Sequence, residues 1–444
     1  MKSNTLNMTE GKTVQLLLVF AIPMLIGNVF QQLYNLVDSI IVGRFVGADA
    51  LAAIGATNAV SFLFFAMCNG IASGGGIITA QYFGAGNSEK IKKAIVNSAY
   101  ILLIGSVIVG ILAFLISANV LRMMATPEEI LLDAVTYMKM QCLGLPLIAI
   151  YNHVSSMLRA LGDARTPLYF LIFACILNVG LDLLFVCSFE MGILGAALAT
   201  IIAQFIAGVG CLFYALRYNE YFKFVKEDFK PESRILVGTV RLGLPLSLQF
   251  SLIAVSTMAL QRVVNTFGTT VVAAFTATSR VEQLLHQPYG SLSAALSTYA
   301  GQNLGAKKMD RIKLGIKKGM FLMGVFSFIM IPVMQFFSES IVKLFVNEAE
   351  VISYGAAGLR ITSWFYLALG TIYVIRGTLN GVGDAMFAFI NGVVEVIGRI
   401  VIPIALTMIP LIGVWGIWWS AGIVWVVSAA FSIWRYMSWR KKIF

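Results

Sequence analysis

Charge is what this chain has least of. Asp, Glu, Lys and Arg make up 12% of 444 residues, apolar residues 59%, and the mean hydropathy is +0.86. A soluble domain carries roughly twice that charge fraction, so an ordinary water-soluble fold is excluded. Cysteine is scarce as well. Cys68, Cys142, Cys175, Cys187 and Cys211 form no CxxC pair and sit in or beside apolar stretches, which argues against a disulfide framework or a zinc site. With two histidines, no metal-ligand run and no nucleophile–base pair, a membrane-embedded enzyme lacks visible machinery. No GxxxxGK[ST] phosphate loop is present, which disfavours ATP-driven pumping. Long polar segments are missing too, except for RYNEYFKFVKEDFKPESR at 217–234.

What remains is a series of apolar stretches, each long enough to cross a bilayer core, which takes about 20 residues. Spans are expected near 14–46, 50–75, 93–118, 132–160, 166–188 and 192–216, then near 236–265, 271–300, 314–337, 352–380, 386–407 and 412–434. The first is far longer than a signal-peptide core and contains Gln31, Gln32, Asn35 and Asp38, so it reads as a mature span. With the N-terminus in the cytoplasm, most of the 32 Lys and Arg residues fall in inward-facing segments. Among these are Lys90, Lys92 and Lys93, the basic residues of the 217–234 linker, the run from Lys307 to Lys318, Arg376, and Arg435 with Arg440 and Lys441. The net charge of +11 is therefore a topology signal placing both termini in the cytoplasm, not a nucleic-acid signal.

The sequence also repeats itself at an offset of 221. AQYFGAGNSEKIKKA from Ala80 aligns with AGQNLGAKKMDRIKLG from Ala300, and LRALGD at Leu158 aligns with LNGVGD at Leu379. Gly47, Gly192 and Gly195 fall on Gly268, Gly413 and Gly416. Each half holds an even number of spans, so the halves point the same way and are related by a pseudo-two-fold axis along the membrane normal. The expected fold is an all-α integral membrane protein with twelve transmembrane helices in two six-helix bundles, residues 1–221 and 222–444. A substrate cavity between such repeats is the usual arrangement.

Three carboxylates fall in the expected membrane interior: Asp38, Asp182 and Glu395. Burying such a group costs several kcal/mol, which makes it a functional candidate by default. Glu395 has Arg399 one turn on, so the two read as a structural pair on one helix face. Asp38 and Asp182 have no such neighbour. Asn178 and Asp182 share a face at i and i+4, and at about 1.5 Å per residue Asp38, Asp182 and Thr200 all reach the outer half of the bilayer. The repeat puts Ala259, Arg399, Pro403 and Ala421 opposite Asp38, Asn178, Asp182 and Thr200, so the carboxylates belong to the first half alone. Two close carboxyls in such an interior share a proton, or hold Na⁺ among their oxygens.

The stretches QQLYNLVDSIIVGRFVGADALAAIG (31–55), AQYFGAGN, LRALGDARTPL, NVGLD and GILGAALAT, with LPLSLQ and LNGVGDA in the second half, resemble the multidrug and toxic compound extrusion (MATE) family over essentially the whole chain. The resemblance implies an efflux antiporter coupled to H⁺ or Na⁺, with no cofactor and no metal beyond Na⁺ at Asp38, Asn178 and Asp182. It also implies that Asp38, Asn178, Asp182 and Thr200 are the cation or proton site of the N-terminal bundle. One branch of the family has a glutamate where this chain has Gln249, and an acid in the tenth span, where residues 352–379 have none.

Lower in the order, Tyr34, Tyr151, His153, Gln249 and Gln283 are candidate substrate-binding residues, and Pro23 and Pro245, at matching places in spans one and seven, are candidate hinges. The expected cargo is lipophilic cationic small molecules, and the expected setting is the lipid of the inner (plasma) membrane, with the protein a monomer. The alternative is a flippase of a lipid-linked precursor.

Overall fold

The computed structural model describes residues 4–124 and 126–443, and no strand occurs among them. The first half contains α1 (Thr13–Phe45), α2 (Ala48–Gly84), α3 (Ser88–Met123), α4 (Glu128–Ala160), α5 (Arg165–Asp182) and α6 (Gly192–Tyr218). After the linker come α7 (Ser233–Asn265), α8 (Thr269–Gly305), α9 (Met309–Val342), α10 (Ala349–Ser363), α11 (Tyr366–Gly381), α12 (Ala385–Thr407) and α13 (Gly416–Ile443).

Ten of these are long and apolar enough to cross a membrane, or eleven once α10 and α11, which meet at a 55° bend, are taken as one broken span. The missing member is α8. It has 37 residues but carries Arg280, Glu282, Gln283, His286 and Gln287, too polar a composition to register as a span. With it the helical elements number twelve, as expected.

The outward surface agrees with a lipid setting. Ile104, Ile108, Ile111 and Leu115 of α3 are 53–69% exposed, and Phe321, Phe328 and Phe336 of α9 are 63–79% exposed. In water such stripes would forfeit about 25 cal/mol per Å² and would form an apolar patch far larger than soluble monomers tolerate. In lipid they are at no disadvantage.

By contacts the chain forms two compact units. Unit 1 comprises Met1–Glu10, Ile22–Leu248 and Gly305–Lys307, and unit 2 comprises Gly11–Ala21, Gln249–Leu304 and Lys308–Phe444. In unit 1, three consecutive glycines of α2 serve three neighbours. A Cβ at Gly74 would lie 2.6 Å from Gly243 N of α7, at Gly75 2.6 Å from Ser98 Cβ of α3, and at Gly76 2.7 Å from Ser156 Oγ of α4. Without side chains there, three helices reach the α2 backbone, the small-residue packing by which membrane helices associate. In unit 2, Gly377 and Gly381 of α11 do the same for α8: a Cβ at either would collide with the carbonyl oxygens of Ser293 and Ser297.

The internal repeat is visible in the backbone. The left-handed glycines Gly47, Gly162 and Gly192 recur 221 residues later as Gly268, Gly383 and Gly413. Gly86, at φ +69°, has as its counterpart Lys307 at φ +57°, one of two residues other than glycine in that region among the described residues.

Candidate functional site

The local sequence aims one face of three helices at a common point in unit 1. In α1, Ile41 and Val42 are buried in a core cluster with Ala134 and Met138 of α4 and Ala196 of α6. Asp38 and Tyr34, one and two turns before Val42, lie on that same inward stripe. In α5, Asp163 starts the helix by accepting from the Arg165 and Thr166 amides at 3.1 and 2.9 Å, and the apolar run that follows carries Asn178 and Asp182 into the interior. Immediately after Asp182 the helix widens to a π-turn over Leu183–Ser188, a feature often found at functional sites. In α6, the buried Ala196, Ala197 and Ala199 leave room for the neighbouring helices beside Thr200.

Asp182 and Asn178 are 0% and 1% exposed. With its Nδ2 facing Asp182, the Asn178 amide donates to Asp182 Oδ2 at 2.7 Å and its oxygen accepts from the Thr200 amide at 3.1 Å. Tyr34 Oη lies 3.2 Å from Thr200 Oγ1, which also donates to the Ala196 carbonyl. The carboxyl groups of Asp38 and Asp182 are within hydrogen-bonding reach of each other. Yet one oxygen of each, Asp38 Oδ1 and Asp182 Oδ1, is buried without a hydrogen-bond donor. Among the described residues, no Lys or Arg forms an ion pair with either. Two facing carboxylates without a resident cation are strongly unfavourable in this interior. A proton between them, or a hard cation held by oxygens of Asp38, Asp182, Asn178 and Thr200, removes the imbalance, and the donor set suits either.

Two residues of this cluster escaped the sequence reading. Tyr137 and Gln141 of α4 lie close to each other, and Tyr137 lies close to both carboxylates. Gln141 Oε1 is buried without a donor. Their signal was a polar pair at i and i+4 on α4.

The structure brings Tyr34 into this cluster but not the other candidate substrate residues. Tyr151 Oη donates to the Pro167 carbonyl at 3.0 Å, and His153 Nε2 lies 3.0 Å from the Ile95 carbonyl, so both tie helices together from buried positions. Gln249 is buried against Gly392 in unit 2, and Gln283 is exposed on α8. Pro23 and Pro245 lie inside α1 and α7, within two and four residues of the points where those helices pass between units. Glu395 does not pair with Arg399. Its carboxylate meets Arg376 Nη1 at 3.6 Å and accepts from Asn391 Nδ2 at 3.1 Å, while Arg399 donates to Ser256 Oγ at 3.3 Å. Arg376, assigned to an inward-facing segment by the charge count, is thus 8% exposed within α11. Glu282 of α8 is a fourth interior carboxylate, close to Thr362.

A polytopic helical chain that repeats one plan in its two halves is built as membrane transporters are. The MatE family model matches twice, over residues 23–184 and 245–407, and the chain belongs to the MATE family. It is 30% identical over 435 residues to the probable multidrug resistance protein YpnP of Bacillus subtilis (strain 168), covering 97% of each chain. To the probable multidrug resistance protein YoeA of the same organism it is 29% identical over 409 residues, covering 89% and 88%. A solved outward-facing multidrug resistance MATE transporter of the MOP superfamily shares the fold at a TM-score of 0.92 and 23% identity, over 99% and 98% of the two chains.

Proposed function

We propose that this transporter is an antiporter that exchanges H⁺ or Na⁺ for amphipathic, mainly cationic, toxic compounds, and that Asp38, Asn178, Asp182 and Thr200 are its cation site. The reading rests on one observation above the rest: two facing buried carboxyls, each with an oxygen that no donor reaches. The site requires an exchangeable cation to be stable, and a gradient across the membrane supplies one. Loading it draws α1, α5 and α6 together around Asp38 and Asp182, with Pro23 as the point where α1 gives. Unloading relaxes them, so ion and cargo alternate. The relatives named for multidrug resistance support the cargo class. In this reading residues 1–221 and 222–444 are two six-helix bundles, both termini face the cytoplasm, and a monomer in the inner membrane is the working unit.

The test is efflux of a fluorescent lipophilic cation from proteoliposomes under an imposed pH or sodium gradient, each varied alone. Wild type should respond to one or both gradients and Asp38→Asn to neither. Gradient-driven efflux by Asp38→Asn with unchanged ion dependence would rule the site out. Failure to move any cation, with translocation of a lipid-linked precursor instead, would transfer the assignment to the flippase reading.

A further inference from the structure

The linker between the halves is a folded module rather than a loose connector. Two 3₁₀ turns, Glu220–Phe222 and Lys226–Phe229, build it. Asn219 Oδ1 accepts from the Tyr221 amide at 3.0 Å, and Asp228 Oδ2 accepts from the Val225 amide at 2.8 Å. Phe222 is buried, and the Phe224 ring lies 5.9 Å from the rings of both Phe222 and Phe229. Acids and bases are sorted within the module. Asp228 is buried and Glu232 half-buried, and both lie close to Lys93 of α3. Arg217, Lys223, Lys226, Lys230 and Arg234 are exposed, against two exposed acids, Glu220 and Glu227. Among these outward bases, Val225 and Phe229 are 55% and 51% exposed.

The height of the module is set by α3. The Phe229 carbonyl accepts from the Tyr100 hydroxyl at 3.0 Å, and the Lys230 carbonyl accepts from Asn97 Nδ2 at 3.4 Å. The exposed apolar stripe of α3 begins at Leu103, a few residues past Tyr100, or about 5 Å along the axis at 1.5 Å per residue. Exposed apolar residues also flank the module in the chain, with Leu216 of α6 before it and Val237 of α7 after it. The module therefore sits where three lipid-facing stripes end, at the level of the headgroups. At that level apolar side chains enter the acyl boundary while neighbouring ammonium groups stay with phosphate, and anionic lipid favours the arrangement charge by charge. We propose that the linker docks on the leaflet of its own side of the membrane. Val225 and Phe229 enter the acyl boundary, and Lys223, Lys226 and Lys230 bind the phosphates of anionic phospholipid. The charge count places the linker on one side of the bilayer; docking makes anionic lipid a ligand of the protein. This surface depends neither on the efflux reading nor on the coupling ion.

An environment-sensitive fluorophore at Val225→Cys, in a full chain whose native cysteines have been replaced, reads the docking. The vesicles are equal parts phosphatidylglycerol and phosphatidylcholine, and one lipid or the other carries a nitroxide quencher on its acyl chain. The label should be quenched several-fold more by phosphatidylglycerol than by phosphatidylcholine. Replacing Lys223, Lys226 and Lys230 by Gln should abolish that preference, with about a fivefold loss of lipid association for each charge removed. The three corresponding Lys→Arg changes should keep it, and Lys226→Gln alone should show the single-charge loss if the triple variant does not reconstitute. The same fluorophore at Ile111→Cys, on the lipid-facing stripe of α3, should show no preference in any variant. Equal quenching by both lipids at Val225→Cys would overturn the proposal, as would a preference that survives the Gln changes. Quenching by neither lipid, with free access to acrylamide, would overturn it too and give the surface to water or a soluble partner.

Discussion

Changing one oxygen to nitrogen should have opposite consequences at Asp38 and at Glu395. Asp38 faces Asp182 with no donor on either free oxygen, so Asp38→Asn supplies an N–H where repulsion stood. Gradient-driven efflux should be lost while the melting temperature in detergent stays level or rises, because an unpaired buried carboxylate has been removed. Asp182→Asn should lose efflux in the same way. Glu395 is already satisfied by Arg376 and Asn391, so Glu395→Gln strands a buried guanidinium and should destabilise by roughly 3–5 kcal/mol. Thermal melts of the three variants beside wild type decide it. A stabilised Glu395→Gln would show that Arg376 needs no partner. The sequence separated these cases only partly. It read Asp38 and Asp182 as having no basic residue one turn away, and it gave Glu395 the arginine nearest in the chain. The partner in space sits on another helix, and the rotation of α11 about its axis leaves no trace in residue spacing.

Individual helices were legible where periodicity or glycine marks them, and illegible where polar residues turn inward. The turns of the repeat could be read because the left-handed backbone favours glycine, and Gly47, Gly162 and Gly192 recur with the same sign of φ. Lys307 breaks that pattern. It holds at φ +57° a conformation its counterpart Gly86 adopts at no cost, and for a residue with a Cβ the penalty is roughly 1–2 kcal/mol. Lys307→Gly should therefore raise the melting temperature by a few degrees, and Gly86→Ala should lower it. No change in either would mean that the turn relaxes. The α8–α11 contact makes a stronger demand. Any side chain at Gly377 or Gly381 meets α8 carbonyls, so Gly377→Leu should separate the helices and abolish folding of unit 2, read as loss of a monodisperse peak in size-exclusion chromatography. A monodisperse, active Gly377→Leu would show that the close approach is dispensable. From sequence alone α8 was expected as a span over 271–300 and it forms one 37-residue helix, although its Glu282 and His286 were not singled out. An inward-facing polar stripe lowers the apolarity of a span without saying what it faces.

For the molecule as a whole, the decisive sequence signal was the segregation of charge, since positive residues that cannot cross a bilayer record which side each loop occupies. The linker at 217–234 is the most informative stretch. It joins the two halves, carries Lys223, Lys226 and Lys230, and is tied to unit 1 by real contacts: the Tyr100 hydroxyl donates to the Phe229 carbonyl at 3.0 Å, and the Glu232 amide donates to Asn97 Oδ1 at 2.8 Å. Those bonds fix the linker at the end of α3 that begins with Ser88, Lys90 and Lys93, so the linker and this basic turn must lie on one side of the membrane. If that side is the cytoplasm, a single cysteine at Lys226, in a chain whose five native cysteines have been replaced, should react with an impermeant maleimide only in everted vesicles. A second cysteine at exposed Leu411, between α12 and α13, should show the reverse, because one span separates it from the inward-facing turn at Asp384. The two labels together exclude a trivial failure of access, since each preparation must label one site and spare the other. Labelling of Lys226→Cys in intact cells would invert both termini and the ion site with them, and the gradient able to drive export would then have to run in the opposite direction.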